Sequence, residues 1–281
     1  IPDGLVYIVP AAGYYYDYLN CQYLYDSWTP AQIGNEKFDE NDPAILGGMF
    51  AVWNDHAGNG ITVKDIHDRL FPALQTLSAK CWTGAATSFS FEDFNRLRLS
   101  LSEAPAVNEA ARWQKGKQLR IETLNPGQTT GEKEVGYGYR VEFTIEGADE
   151  PKGTVLFSSD NATFYLADPE SGQLGFAHEG YLNKFNYRVE KGKKVTLAIT
   201  GDNRKTCLYV DGKLREELGP VTLYAMLPKD LATFQKSDAT ATQPIVYNPS
   251  AKMHYQRTLM FPLQKTGDFK SRITGVKVEQ E

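Results

Sequence analysis

Residues 45–84 (ILGGMFAVWNDHAGNGITVKDIHDRLFPALQTLSAKCWTG) constrain the fold more than any other stretch of this chain. The apolar run at 49–53 is short enough for a buried strand. Trp53, Asn54 and Asp55 then follow at its carboxyl end, where βα loops place groups that touch ligand. Thr62 is positioned to cap the next helix, with Asp65 three residues on. Ile66, Leu70, Leu74 and Leu77 recur at near-helical spacing and predict one apolar stripe. The segment therefore reads as strand, loop and helix, one β/α unit. Residues 5–10 (LVYIVP) begin the same grammar again and lead into Tyr14, Tyr15, Tyr16, Asp17 and Tyr18, an aromatic cluster with a carboxylate just past a second predicted strand.

The order of these groups is informative. Tyr15 and Asp17 follow one strand; Gly47 and Gly48 lead another that ends in Trp53 and Asp55; a helix then runs through Arg69 and Pro72 to Trp82. Over residues 1–84 this resembles the late-barrel pattern of glycoside hydrolase family 20, the β-N-acetylhexosaminidases. The resemblance implies the carboxyl-terminal portion of a (β/α)8 barrel. It also implies substrate-assisted hydrolysis, in which the N-acetyl oxygen of the sugar attacks its own anomeric carbon. Tyr15 would donate a hydrogen bond to that oxygen, Asp17 and Asp55 would accept from sugar hydroxyls, and Trp53 would wall the acetamide methyl and the sugar face. The implied partner is a glycan ending in an N-acetylhexosamine, with no metal or other cofactor, in a periplasmic or extracellular setting.

Two departures qualify what this chain does alone. Asp55 stands where the family usually has Glu, so the carboxylate is one methylene shorter and grips the 4- and 6-hydroxyls differently. The family's acid and amide-orienting carboxylates sit side by side in a His-x-Gly-Gly-Asp-Glu motif that this sequence lacks. Asp39-Glu40 and Asp149-Glu150 do not follow Gly-Gly, and both read as solvated loop surface. The general acid is expected upstream or absent, the rest of the barrel becomes an expected partner, and the chain alone is expected to be inactive. A whole barrel takes eight strands and about 250 residues. Uncovered apolar faces predict self-association.

Charge is uneven. Residues 1–104 carry 6 Lys plus Arg against 13 Asp plus Glu, a balance of −7, whereas the rest carries 24 against 22. That shift, with the Pro- and Ala-containing connector at 103–111, predicts a two-domain α+β chain divided into 1–104 and 105–281. The acidic first part lacks the clustered basic residues of a nucleic-acid footprint. No apolar run approaches the roughly 18 residues that cross a bilayer. Cys21, Cys81 and Cys207 are widely spaced without a Cys-x-x-Cys, and read as small buried apolar residues rather than a disulfide framework or zinc site. Trp28 and Trp82 are expected to pack, His67 to lie exposed on its helix, and His56 to be a hydrogen-bonded loop residue.

Beyond the connector, alternation with period two takes over. Tyr139, Val141, Phe143 and Ile145 alternate with polar residues, as do Val195, Leu197 and Ile199. Further strands are expected at 154–158, 163–167, 174–177, 187–190 and 273–278. Asp211-Gly212 marks a hairpin within 208–214, because a primed turn needs two positive φ angles. This is the pattern of an antiparallel β-sandwich. The strand at 192–199, the hairpin and the closing strand resemble the laminin-G and concanavalin-like jelly rolls over residues 112–281. Residues 220–258 carry four prolines and read as a meandering connection. Tyr181, Phe185 and Tyr187 are candidates for stacking on sugar or equally for packing in the core or against the barrel part, which leaves a lectin-like module or a purely structural cap as the alternative to catalysis. The tripeptide Asn161-Ala162-Thr163 is assigned no role.

Overall fold

The computed structural model describes residues 7–8, 20–33, 36–49, 62–85, 88–101, 103, 107–228 and 245–280. The chain divides between Glu109 and Ala110 into two compact units.

The first unit is built on two parallel strands. β1 (Tyr7–Ile8) pairs with a later strand in the register Tyr7 to Gly48 and Ile8 to Met49. Parallel neighbours need a crossover, and here it contains helix α1 (Cys21–Ser27) and a short antiparallel pair, β2 (Gln32–Ile33) with β3 (Glu36–Lys37). The partner strand is β4 (Gly48–Met49), and helix α2 (Val63–Thr83) follows it. Asn20 caps α1 by accepting from the Tyr23 N–H at 3.0 Å. Helix α3 (Phe91–Ser100) is capped by Ser90, whose Oγ accepts from Asp93 N at 3.1 Å. Tyr25 joins α1 to α3: its ring stacks on Phe94 at 4.5 Å and its hydroxyl donates to Phe89 O at 3.1 Å.

The second unit is an antiparallel β-sandwich. Its strands in chain order are β5 (Gln118–Leu124), β6 (Glu134–Val135), β7 (Tyr139–Glu146), β8 (Thr154–Ser158), β9 (Ala162–Ala167), β10 (Gly175–His178), β11 (Tyr181–Lys184), β12 (Lys194–Gly201), β13 (Thr206–Val210), β14 (Lys213–Leu218), β15 (Val221–Pro228), β16 (Ile245–Tyr255), β17 (Phe261–Pro262), β18 (Lys265–Thr266) and β19 (Arg272–Gln280). One sheet runs β14-β13-β12-β7-β19-β5 and the other β11-β10-β9-β8-β18. Alternate residues of β7 are buried, as the period-two pattern requires. Phe143, Ile145, Leu197 and Val278 from the first sheet share one core with Leu156, Phe164 and Phe176 from the second. Phe261 lies among Tyr139, Phe157 and Phe164, with ring centroids 5.1–5.9 Å apart. The β13–β14 turn has Asp211 at φ 47° and Gly212 at φ 77°, the expected primed hairpin.

Three expectations change here. No strand forms at 187–190. Residues 220–258 are not simply a meander: β15 and β16 pair antiparallel over Val221 to Tyr255 and Pro228 to Ile245. Pro228 ends one strand, and Pro249 sits where the register skips opposite Ala225, so neither proline removes a needed ladder donor. The (β/α)8 expectation reduces to what is described, one parallel pair with its helices. Among the described residues, no helix is long and apolar enough to cross a membrane.

Candidate functional site

The four candidate site residues, Tyr15, Asp17, Trp53 and Asp55, lie outside the described residues, as does His56. What is described is the strand pair that precedes them in the chain. Because β1 and β4 are parallel, the chain leaves both at the same end of the sheet, after Ile8 and after Met49.

That strand pair is held by side chains the sequence only partly indicated. The Gly47-Gly48 pair has a packing reason: a Cβ on Gly48 would lie 2.5 Å from Trp28 Cη2 and 3.4 Å from Leu77 Cδ1, so only glycine admits the indole against β4. Trp28, 5% exposed, forms a small core with Leu24 and Leu77, as expected of a packing tryptophan.

Helix α2 buries a different face from the one predicted. Asp65, Asp68, Ala73, Thr76, Leu77 and Lys80 are its buried residues, while Ile66 and Leu70 are half-buried and Leu74 is exposed. The rotation has a cause. Lys80, 1% exposed, donates from Nζ to Tyr25 O at 2.9 Å and so satisfies a carbonyl in the last turns of α1. Burial pushes the Lys80 ammonium below its ordinary value, against Glu40 and Asp26, which pull it up.

Other expectations also move. Trp82 does not pack; it is 92% exposed at the end of α2. His67 is not free on the helix face, since its Nε2 lies 2.9 Å from Glu103 Oε2 and its ring stacks on Phe71 at 5.3 Å. Of the cysteines, Cys207 is buried, Cys21 half-buried and Cys81 exposed, so the reading of all three as core residues holds for one. Burial raises the Cys21 and Cys207 thiols above their ordinary range.

A cleft of about 270 Å³ in the first unit went unread in the sequence; Glu40, Asn41, Leu46, Cys81, Trp82 and Gly84 are among its lining residues. The signal was present: Trp82 is five positions beyond Leu77 and therefore off any stripe that contains it.

On the sandwich, the proposed aromatic platform does not survive. Phe185 is fully buried in the core and Tyr187 packs half-buried against it, leaving Tyr181 exposed. Glu179 and Gly180, both at positive φ, turn β10 into β11, and Phe185 N donates to Leu174 O at 2.8 Å, extending the ladder so that Phe185 faces inward. Glu150 is not free surface either, because its Oε1 accepts from Lys270 N, Ser271 N and Ser271 Oγ at 2.6–2.9 Å. Asp168 organises the β9–β10 loop: its carboxylate accepts from Glu170 N, Ser171 N and Gln173 N at 2.8–2.9 Å, and from Ser171 Oγ. Burial pushes this carboxyl up, and those hydrogen bonds outweigh it and hold the group below the usual carboxylate range.

The outward face of the six-stranded sheet is polar. Cross-strand register aligns Arg120, Lys277, Glu142 and Ala198 with Tyr209. The Arg140 guanidinium lies 5.6 Å from the Tyr209 ring and 2.6 Å from Glu142. Among the described residues, no cluster of three His, Cys, Asp or Glu is arranged to hold a metal.

No protein-family model matches the chain, and no curated protein matches it in sequence. Solved structures align with part of the chain. They include galectin LEC-6 of Caenorhabditis elegans (9% identity, 57% of this chain and 96% of that one, TM-score 0.33). Domain 4 of AbnA, a GH43 extracellular arabinanase from Geobacillus stearothermophilus in complex with arabinotriose, aligns at 11% identity (57% and 65%, TM-score 0.28). Trypanosoma rangeli sialidase aligns at 16% identity (52% and 21%, TM-score 0.26). The matched part spans about two thirds of the arabinanase domain and a fifth of the sialidase. At such scores the likeness carries no argument, and the sandwich rests on its own strand pairing.

Proposed function

We propose that residues 1–104 are the carboxyl-terminal β/α units of a β-N-acetylhexosaminidase-like barrel and that residues 105–281 are an appended glycan-directed sandwich. The observation that carries this reading is the parallel register of β1 with β4. It supports a common pocket because the Tyr15–Asp17 segment follows one strand and the Trp53–Asp55 segment the other, and parallel strands release their loops at one edge. In this reading Tyr15 is the preorganised donor to the acetamide oxygen, a role whose loss costs on the order of 10²- to 10³-fold in rate. Asp17 and Asp55 hold sugar hydroxyls, and Trp53 is the aromatic wall.

The substrate is a terminal N-acetylhexosamine, and the protein works outside the cytoplasm. The acid and the amide-orienting carboxylate belong to the preceding units of the barrel. Those units would cover Ile66, Leu70 and Leu74, and without them the same stripe favours self-association. The test is twofold. The isolated chain should release no aglycone from a chromogenic N-acetylglucosaminide, yet show a saturable shift of the Trp53 indole signal with N-acetylglucosamine. Aglycone release, or a Trp53 signal that the sugar does not move, rejects the assignment.

A second reading makes the sandwich the working part. Tyr209 beside Arg140 and Glu142 favours it, since an aromatic ring flanked by charged donors and acceptors matches the apolar and hydroxyl faces of a sugar. Binding lost with Tyr209→Ala and retained with Trp53→Ala selects this reading over the first.

A further inference from the structure

We infer that the cleft beside the last turn of α2 is a second glycan subsite, for one neutral pyranose ring, at the sheet edge opposite the proposed catalytic loops. The ligand class rests on the carbohydrate reading above; the location rests on the cleft itself.

The cleft is built on fixed parts. Gly84, at φ 62°, ends α2 by donating to Lys80 O at 2.8 Å. The next N–H, from Ala85, reaches the two Glu40 carboxylate oxygens at 2.9 and 3.1 Å, which ties the Glu40–Asn41 loop to the helix end. Asn41 is held in turn, with its backbone N–H and its side-chain amide donating to Asp39 Oδ1 at 2.9 and 3.3 Å. Against this polar wall stand Trp82, 92% exposed, and Leu46, 70% exposed. An open indole that lines the same cleft as a carboxylate and a planar amide offers the chemistry that a pyranose satisfies, with an aromatic surface for its C–H face and polar groups for its hydroxyls.

Size and charge narrow the ligand. A volume of about 270 Å³ falls just under the roughly 300–1,000 Å³ of pockets for drug-sized ligands, which suits a single ring. Glu40 lines the cleft, with Asp39 and Asp42 beside it in the chain, so uronic and sialic acids meet like charge and are disfavoured. Its place separates it from chemistry. Gly47 leads into the amino end of β4 and Trp82 lies in the last turn of α2, whereas the proposed catalytic loops leave from the carboxyl end of β4. A site there grips a glycan away from the bond that is cleaved.

The experiment follows the indole N–H signals of Trp28, Trp53, Trp82 and Trp113 in the full chain during titration with methyl N-acetyl-β-glucosaminide, and in parallel with methyl glucuronide. The expected result is a saturable Trp82 shift in the millimolar range with the neutral sugar and none with the glucuronide. Asn41→Ala should weaken it about tenfold or more, and Trp53→Ala should leave it unchanged. Because Trp82 is exposed, Trp82→Ala folds normally, and loss of sugar binding at the neighbouring backbone amides in that variant completes the support. A Trp82 signal that does not move, or amide shifts that persist undiminished in Trp82→Ala, overturns the proposal. A response confined to Trp53 also overturns it while sustaining the hexosaminidase-like reading, so the two can fail separately.

Discussion

Gly48 and Trp28 meet so closely that a single methyl group on the glycine would come within 2.5 Å of the indole Cη2. This contact seats α1 and the loop after it on the parallel pair, and it accounts for the second glycine of the Gly47-Gly48 sequence. Gly48→Ala should cost about 1–3 kcal/mol by overpacking. Urea denaturation checks it, and combining the change with Trp28→Leu should recover part of the loss. An additive pair would show that the two do not touch.

Trp28 and Trp82 should behave oppositely. Trp28→Ala removes a buried ring from a small core and should cost about 3–5 kcal/mol. Trp82→Ala touches an exposed one and should stay within about 0.5 kcal/mol. Thermal melts of the two variants decide this.

Lys80 gives the first unit a particular alkaline behaviour. Its folded-state value lies below its unfolded one near 10.4, so the unfolded chain holds that proton more tightly. Stability therefore gains from this group as pH rises through the folded value toward about 10.4, and the penalty is present in full below that window. Lys80→Met should abolish that slope and leave Tyr25 O without its donor, a loss of about 1–3 kcal/mol. Denaturation midpoints of both proteins between neutral and alkaline pH provide the comparison.

Asp168 acts at the other end of the scale. Its carboxyl is held below its unfolded value near 3.9, so its contribution is complete above that pH and is lost as pH falls through the folded value. Asp168→Ala should destabilise the sandwich by on the order of 3 kcal/mol at neutral pH. The gap between wild type and variant should shrink in acid; a constant gap would mean the carboxylate charge is irrelevant to the loop.

Tyr209→Ala should leave the sandwich folded, because the ring lies on the outward sheet face rather than in the core. Any loss of sugar binding in that variant, measured by calorimetry with N-acetylglucosamine, then belongs to recognition rather than to stability.

Where a decision is local, the residues themselves made it. Alternation in Tyr139, Val141, Phe143 and Ile145, the Asp211-Gly212 turn, and α2 beginning after Thr62 and running through Trp82 all depend on backbone preferences and near neighbours, and all were legible. Tyr15, Asp17, Trp53 and Asp55 were named by motif and lie outside the described residues, whereas the parallel pairing of Tyr7 with Gly48 is a contact across some forty residues that no local pattern encodes. Burial was likewise settled only by distant partners. Lys80 went inside because a carbonyl of α1 awaited its ammonium, Phe185 because the β10–β11 hairpin turned it inward, and Trp82 outside because none of the described residues of its unit covers the end of α2. A side chain's polarity states what its burial costs; the fold alone determines whether a partner stands close enough to offset that cost.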